Sequence, residues 1–296
     1  MRYGRVTRAL LLFVSIIMGN SLSMSATRKV VVTGAGGQTG SRVFKKLLAR
    51  SIFEPVGLVR TEESKSLLVG DGFPEEKIIV GDVCDQPFMQ SAMQGCDAVV
   101  ICTSAKPVPT KTMTPEGRPV FDYPNGQPEA VDWVGQKNQI DAALASGTVS
   151  HVVICSSMGG TDPNNMLNSI GRSGGDGTPV EGGNILLWKR KAEKYLIDSG
   201  LTYTIVHPGG LVNEPGGERE LVPGVDDSQQ GTDNRSIPRD DVARVLVNSL
   251  IFGSYENRSF DVRSKPVGEG KATTDFDALL KGLDGKNCDY TLGEIP

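Results

Sequence analysis

The 296-residue chain has few histidines, few aromatic residues and little net charge. It carries His151 and His207, 6% Phe, Trp and Tyr, and a formal charge of −4. Its five cysteines, Cys84, Cys96, Cys102, Cys155 and Cys288, form no CxxC pair, and no clustered Cys, His and carboxylate set has zinc-site spacing, so no metal is expected. An odd thiol count without framework spacing fits a reducing compartment, with Cys102 and Cys155 as buried free thiols at the ends of apolar runs. A pI near 5.4 argues against a general nucleic-acid binder, which needs a basic face to neutralise phosphate. The apolar run Ala9–Met18 has ten residues, where a membrane span needs about 20, so no stable span is expected.

Acidic residues are missing altogether before Glu54. Arg2, Arg5 and Arg8 precede that apolar run, and small or polar residues follow through Ser23. This is the order of a secretory signal, while the lack of acids equally suits a plastid or mitochondrial presequence. A third reading starts translation at Met24 and leaves the product in the cytoplasm. The expectation is a targeting segment over 1–23 and a single domain over 27–296.

Glycine is abundant, with 36 residues against an average share of about 7%. Short apolar runs predict strands at 29–33, 55–59, 77–80, 98–102, 152–155 and 203–206. Helical patterns separate them at 61–68, 86–94, 131–145, 184–198 and 239–252, with another following the first strand through Arg50. Buried strands alternating with helices predict an α/β fold, a doubly wound and mostly parallel sheet. Two irregular stretches, 105–130 with six prolines and the Gly-rich 159–183, follow the fourth and fifth strands. Both fall at the carboxyl edge of the sheet, where such folds bind ligands, and are expected to be lids over a small-molecule substrate.

The first strand ends in Gly34-Ala35-Gly36-Gly37-Gln38-Thr39-Gly40. The spacing of Gly34, Gly37 and Gly40 is GxxGxxG, and it sits between a strand and a helix, where backbone N–H groups hold a pyrophosphate. No Gly-Lys-Ser/Thr follows, which excludes a P-loop. The second strand ends at Arg60 with no acid in the position that would bond a ribose 2′-OH. A guanidinium there suits a 2′-phosphate, so NADP(H) is expected over NAD(H). Asp82 and Val83 follow the third strand at the adenine side. Thr103 and Ser104 follow the fourth, where small residues let the nicotinamide ribose approach. Pro208 and Gly209 follow the sixth, together with His207, a candidate acid or base.

These residues resemble the atypical short-chain dehydrogenase/reductase superfamily, within it the NAD(P)H-binding, NmrA-like branch, and are similar to plant NAD(P)-binding Rossmann proteins. The segments that carry the resemblance are TGAGGQTG, GLVR, PEAVDWVGQKNQIDAA, SSMGGTDP, NILLWKRKAEKYL, TIVHPGGL and SKP, from about residue 29 onward. The resemblance implies a Rossmann domain with a small C-terminal substrate lobe and bound NADP(H). It also implies a Ser after the fifth strand and a Tyr four residues before a Lys on the next helix. Ser157 matches the Ser and Lys191 the Lys, but Leu187 stands at the Tyr position, and Tyr195 follows Lys191 instead. The expected activity is NADPH-dependent reduction of a small carbonyl, quinone or flavin-like compound. The alternative is a non-catalytic NADP(H)-binding redox sensor.

Overall fold

Val30, Val31 and Val32 are all fully buried, although successive side chains on a strand point to opposite faces. Val30 and Val32 join one apolar cluster and Val31 a second. The same division recurs at Val100 against Val99 and Ile101, and at Val153 against Val152 and Ile154. A strand apolar on both faces needs a covering layer on each side, which selects a parallel, helix-covered sheet.

The computed structural model describes residues 27–296 except 115, 116, 118, 173–181, 230, 231 and 233. The expected targeting segment and most of the Gly-rich stretch after residue 172 lie outside the described residues. In chain order the elements are β1 (Arg28–Thr33), α1 (Gln38–Leu48), β2 (Phe53–Val59), α2 (Glu62–Gly70), β3 (Ile78–Val80), α3 (Gln86–Ala92) and β4 (Ala98–Ile101). A hairpin follows, β5 (Val108–Met113) and β6 (Pro119–Asp122), then a π-helical stretch, Glu129–Gly135, that runs into α4 (Gln136–Ser146). The remainder is β7 (His151–Cys155), the single turn α5 (Met166–Ser169), α6 (Ile185–Asp198), β8 (Thr202–Pro208), β9 (Gly210–Val212), β10 (Leu221–Gly224), β11 (Ser236–Pro238), α7 (Arg239–Ser249) and β12 (Arg258–Ser264).

Eight strands form the main sheet in the order β10-β12-β8-β7-β4-β1-β2-β3. All pairings are parallel except β10 with β12. From β1 the chain winds outward through β2 and β3, then crosses back to β4 and winds the other way. The direction therefore reverses between β1 and β4, and a crevice opens at their carboxyl ends. This is the doubly wound Rossmann arrangement. The C-terminal third adds β12 and β10 to the far edge of the sheet, with β9 and β11 paired beside it.

Local chemistry sets the helices on the sheet. Gly40, Val43, Phe44 and Leu47 make the buried stripe of α1, three and four residues apart. Thr61 caps α2 by accepting the Ser64 N–H, and Asp85 caps α3 by accepting that of Phe88. The two long loops meet: a Cβ on Gly171 would lie 2.5 Å from the Tyr123 ring just past β6. Among the described residues no helix is long and apolar enough to cross a membrane.

Candidate active site and nucleotide groove

The glycine loop is shaped by two close approaches. Gly34 has φ +68°, and a Cβ on it would stand 2.7 Å from the Cys102 carbonyl oxygen, so the turn after β1 rests on the end of β4. A Cβ on Gly40 would stand 2.2 Å from the Gly34 carbonyl oxygen, so α1 is pressed onto the same turn. Gly37 differs, because the only heavy atom that its Cβ would meet within 4 Å is the Gly34 oxygen, at 3.1 Å. Gly37 is also the cap residue of α1, with no side-chain cap and no acid in the first turn. The N–H groups of Gln38, Thr39 and Gly40 therefore lack helix partners at the positive end of α1. Ala35 is buried behind them. The loop fits a pyrophosphate.

The other groove residues lie just past successive strands. Arg60 is exposed after β2, and its guanidinium donates to the Asn125 carbonyl of the loop before the π-helical stretch. Asp82 is exposed after β3 and accepts the Cys84 N–H at 2.9 Å, while Val83 is buried. The Asn138 amide of α4 donates to the Val83 and Cys84 carbonyls at 3.2 and 3.0 Å and holds this loop against the helix. Gln139 joins β1 to β4: Thr33 donates to its Oε1 at 2.7 Å, and its Nε2 donates to Thr103 at 3.2 Å. Ser104 follows, exposed. Across the sheet, Ser157 stands after β7, and Pro208 and Gly209 at the end of β8.

The lysine at the strand ends is not the one expected. Lys191 lies 4.9 Å from the Trp133 ring and 5.1 Å from that of Trp188. Lys189 instead turns inward, 6% exposed, and pairs with Asp132 at 2.8 Å. The two lysines are two residues apart, about 200° around the helix, so one faces inward when the other faces outward. Asp132 belongs to the π-helical stretch, is fully buried, and accepts the Ala105 N–H at 2.9 Å. Burial alone would lower the Lys189 pKa, but Asp132 more than offsets this and keeps the ammonium charged. Lys189 and Ser157 line one narrow cleft, and Lys191 is not part of its lining. Four residues before Lys189 stands Ile185, so no tyrosine precedes the inward lysine either. The Tyr195 hydroxyl is bonded at 2.6 Å to Asp141, beside Trp133.

Buried polar atoms of the loop after β6 and the start of α4 have no partner: the Tyr123 hydroxyl, the Gln127 Oε1 and both amide atoms of Gln136. Burial and the Asp132 carboxylate push Tyr123 up to about 12, so its phenol is protonated. A bound polar ligand is one way such unpartnered buried polar atoms gain partners. Together with the open N-terminus of α1, they make the groove a fit for a nicotinamide dinucleotide.

The floor of the cleft is a polar cluster. Glu193 accepts from Ser156 and, at 3.0 Å, from the Tyr290 hydroxyl, and faces the His207 Nε2 at 3.1 Å. Burial would raise the Glu193 carboxyl, but the His207 imidazole and these hydrogen bonds hold it down to about 2. His207 is therefore buried in contacts of its own. Asp227 accepts the Gly159 and Thr161 N–H groups at 2.6 and 2.8 Å and fixes the start of the second loop.

The NAD(P)H-binding family matches residues 34–251, and the chain belongs to it. It is a Rossmann-fold NAD(P)H-binding protein. The chain is 47% identical over 272 residues to sanguinarine reductase of Eschscholzia californica, covering 85% of this chain and 94% of the relative. It is also 47% identical over 273 residues to an uncharacterized chloroplastic protein of Arabidopsis thaliana, covering 90% of this chain and 79% of the relative. A solved short-chain dehydrogenase/reductase from Veillonella parvula in complex with NADP shares the fold, with a TM-score of 0.54 at 16% identity over 83% of this chain and 99% of that one.

Proposed function

We propose that the chain is an NADPH-dependent reductase of a small organic acceptor of the carbonyl, quinone or flavin-like class. The observation that carries this is the buried Lys189–Asp132 pair, tied to the segment after β4, with Lys189 lining the same cleft as Ser157. NADPH would supply the hydride. Arg60 after β2 would meet its 2′-phosphate, and the N–H groups of α1 its pyrophosphate. Lys189, fixed in direction by Asp132, would donate to the nicotinamide ribose. Ser157 would hold the substrate oxygen. With Ile185 in place of a tyrosine, the proton comes from water, which suits a quinone or flavin-like acceptor. The reductase relative at 47% identity supports this reading.

The non-catalytic, redox-sensing reading rests on the missing tyrosine and on Cys102 and Cys155. These thiols follow paired residues of β4 and β7, next to Lys189. The neighbouring Cys155 thiol and burial push Cys102 well above the ordinary range. The deciding experiment incubates the chain with NADPH and a panel of quinones, flavins and aldehydes and follows NADPH absorbance. Sustained turnover with one class is expected. Tight NADPH binding without turnover across the panel would leave the sensing reading.

The leader is assigned to the plastid, supported by the lack of acids before Glu54 and by the chloroplastic relative. N-terminal sequencing of the native protein decides whether residues 1–23 are removed.

A further inference from the structure

The cluster below the cleft contains a feature that cofactor binding and reduction do not use. His207 from the end of β8, Asp261 from β12 and Cys288 from the C-terminal tail bring one donor atom each to a common point. The Nδ1–Oδ1 distance is 3.4 Å, Nδ1–Sγ 3.6 Å and Sγ–Oδ1 3.8 Å. A tetrahedral zinc, with bonds of about 2.0 Å to nitrogen and oxygen and about 2.3 Å to sulfur, spaces such donors about 3.3–3.6 Å apart. The 3.4 Å Nδ1–Oδ1 separation exceeds the roughly 2.7–2.9 Å of a charge-assisted hydrogen bond. We propose that His207, Asp261 and Cys288 form a three-ligand site for a borderline divalent cation of the zinc class, with its fourth position open to the cleft.

Each donor is aimed by a group outside the triangle. The His207 Nε2 faces Glu193 at 3.1 Å, which is the carboxylate–histidine arrangement that orients a metal-bound imidazole. The second carboxylate oxygen of Asp261 accepts the Asp227 N–H at 2.8 Å, leaving Oδ1 toward the cluster. The Cys288 backbone N–H donates to the Ser259 carbonyl and hydroxyl oxygens at 3.0 and 3.1 Å, which fixes where its sulfur points. His207 and Asp261 are register partners on adjacent strands, so the sheet sets their spacing. All three residues are buried, and all three line the cleft that holds Ser157 and Lys189. The donor set, one imidazole, one carboxylate and one thiolate, selects zinc-like ions over the hard cations magnesium and calcium. This site is independent of the reductase reading, because none of its ligands is assigned to NADPH.

The test uses the full chain, stripped with a chelator and titrated with Co²⁺ alone, then with Zn²⁺ alone. One Co²⁺ per chain should bind, with strong tetrahedral d–d bands and a thiolate-to-cobalt charge-transfer band, and Zn²⁺ should displace it. Cys288→Ser should remove the charge-transfer band and weaken binding at least about tenfold, while Cys84→Ser, at an exposed thiol, should change neither. Zinc-edge X-ray absorption on the wild-type chain should show one sulfur among nitrogen and oxygen ligands, and it decides the matter if Cys288→Ser does not fold. Failure to take up one equivalent, a weak octahedral-type spectrum, a charge-transfer band that survives Cys288→Ser, or a zinc shell without sulfur would each overturn the site.

Discussion

Two glycines three residues apart offer the sharpest test of the nucleotide groove. Gly37→Ala and Gly40→Ala add the same methyl group with opposite consequences. Gly37 has φ −80° and ψ 164°, an extended conformation open to any residue. Its new Cβ meets only the Gly34 oxygen, at 3.1 Å, so a shift of a few tenths of an ångström admits it. Alanine also restricts the unfolded chain, so stability should stay level or rise by up to about 1 kcal/mol. The methyl group does, however, stand where a pyrophosphate must approach the α1 N–H groups. Losing one charge-assisted hydrogen bond costs about 1.5–3 kcal/mol, which raises the NADPH Kd roughly ten- to a hundredfold. At Gly40 the Cβ falls 2.2 Å from a backbone oxygen and 2.8 Å from its carbon, with no side chain free to yield. That strain should cost about 1–3 kcal/mol or more. Urea unfolding and NADPH fluorescence titration on both variants separate the effects. If Gly37→Ala binds NADPH as the wild type does, or loses binding only in proportion to lost stability, the groove is misassigned.

Arg60→Ala should weaken NADPH binding about tenfold or more and leave NADH binding unchanged, by the same titration; an equal loss for both cofactors would contradict a 2′-phosphate role. Lys189→Met should cost about 3–5 kcal/mol, because Asp132 is left buried and unpaired, and adding Asp132→Asn should restore stability without NADPH affinity. Lys191→Ala and Tyr195→Phe should each change NADPH affinity less than about twofold. His151 is buried, and burial followed by the Arg28 charge holds its pKa down to about 4 from 6.5. The unfolded chain therefore takes up this proton first. The stability is fully present above pH 6.5 and is lost as pH falls toward 4, by about 3 kcal/mol at most. Urea midpoints across that range should fall less steeply in His151→Gln than in the wild type; parallel slopes would refute the assignment.

The parallel sheet could be read from the sequence because its strands are short and apolar on both faces. Val30–Val32 and Val152–Ile154 need no partner to identify them. The hairpin β5–β6 could not, since Pro107, Pro109 and Pro119 within a polar stretch look irregular and only pairing across the turn makes them strands. The close approaches of the loop after β1 show in the sequence as glycine, at Gly34 and Gly40, and the place of Arg60 shows as position past β2. The inward lysine was missed because a motif was counted ahead of a helical face. Leu186, Lys189, Arg190, Glu193 and Leu196 repeat at three- and four-residue spacing, and that stripe excludes Lys191. The unpartnered Tyr123 hydroxyl left no signal, because it reaches Asp132 only through the tertiary course of the hairpin. The grouping of His207 with Asp261 and Cys288 was equally hidden, since the first and the last stand 81 positions apart.

The tail that supplies Cys288 also decides when the cleft can exist. Arg190 on α6 is bound by the carbonyls of Asp289 and Leu292, each at 2.8 Å, and lies over the Tyr290 ring. A Cβ on Gly293 would stand 2.8 Å from the Gly160 carbonyl oxygen, so the tail closes directly against the loop after β7. The Arg190 bonds join residues 99 and 102 positions apart in sequence. The glycine loop, α1 and the ends of β2 to β4 make none of these contacts. A chain cut after Lys286 would therefore keep the dinucleotide groove and lose the floor beside it.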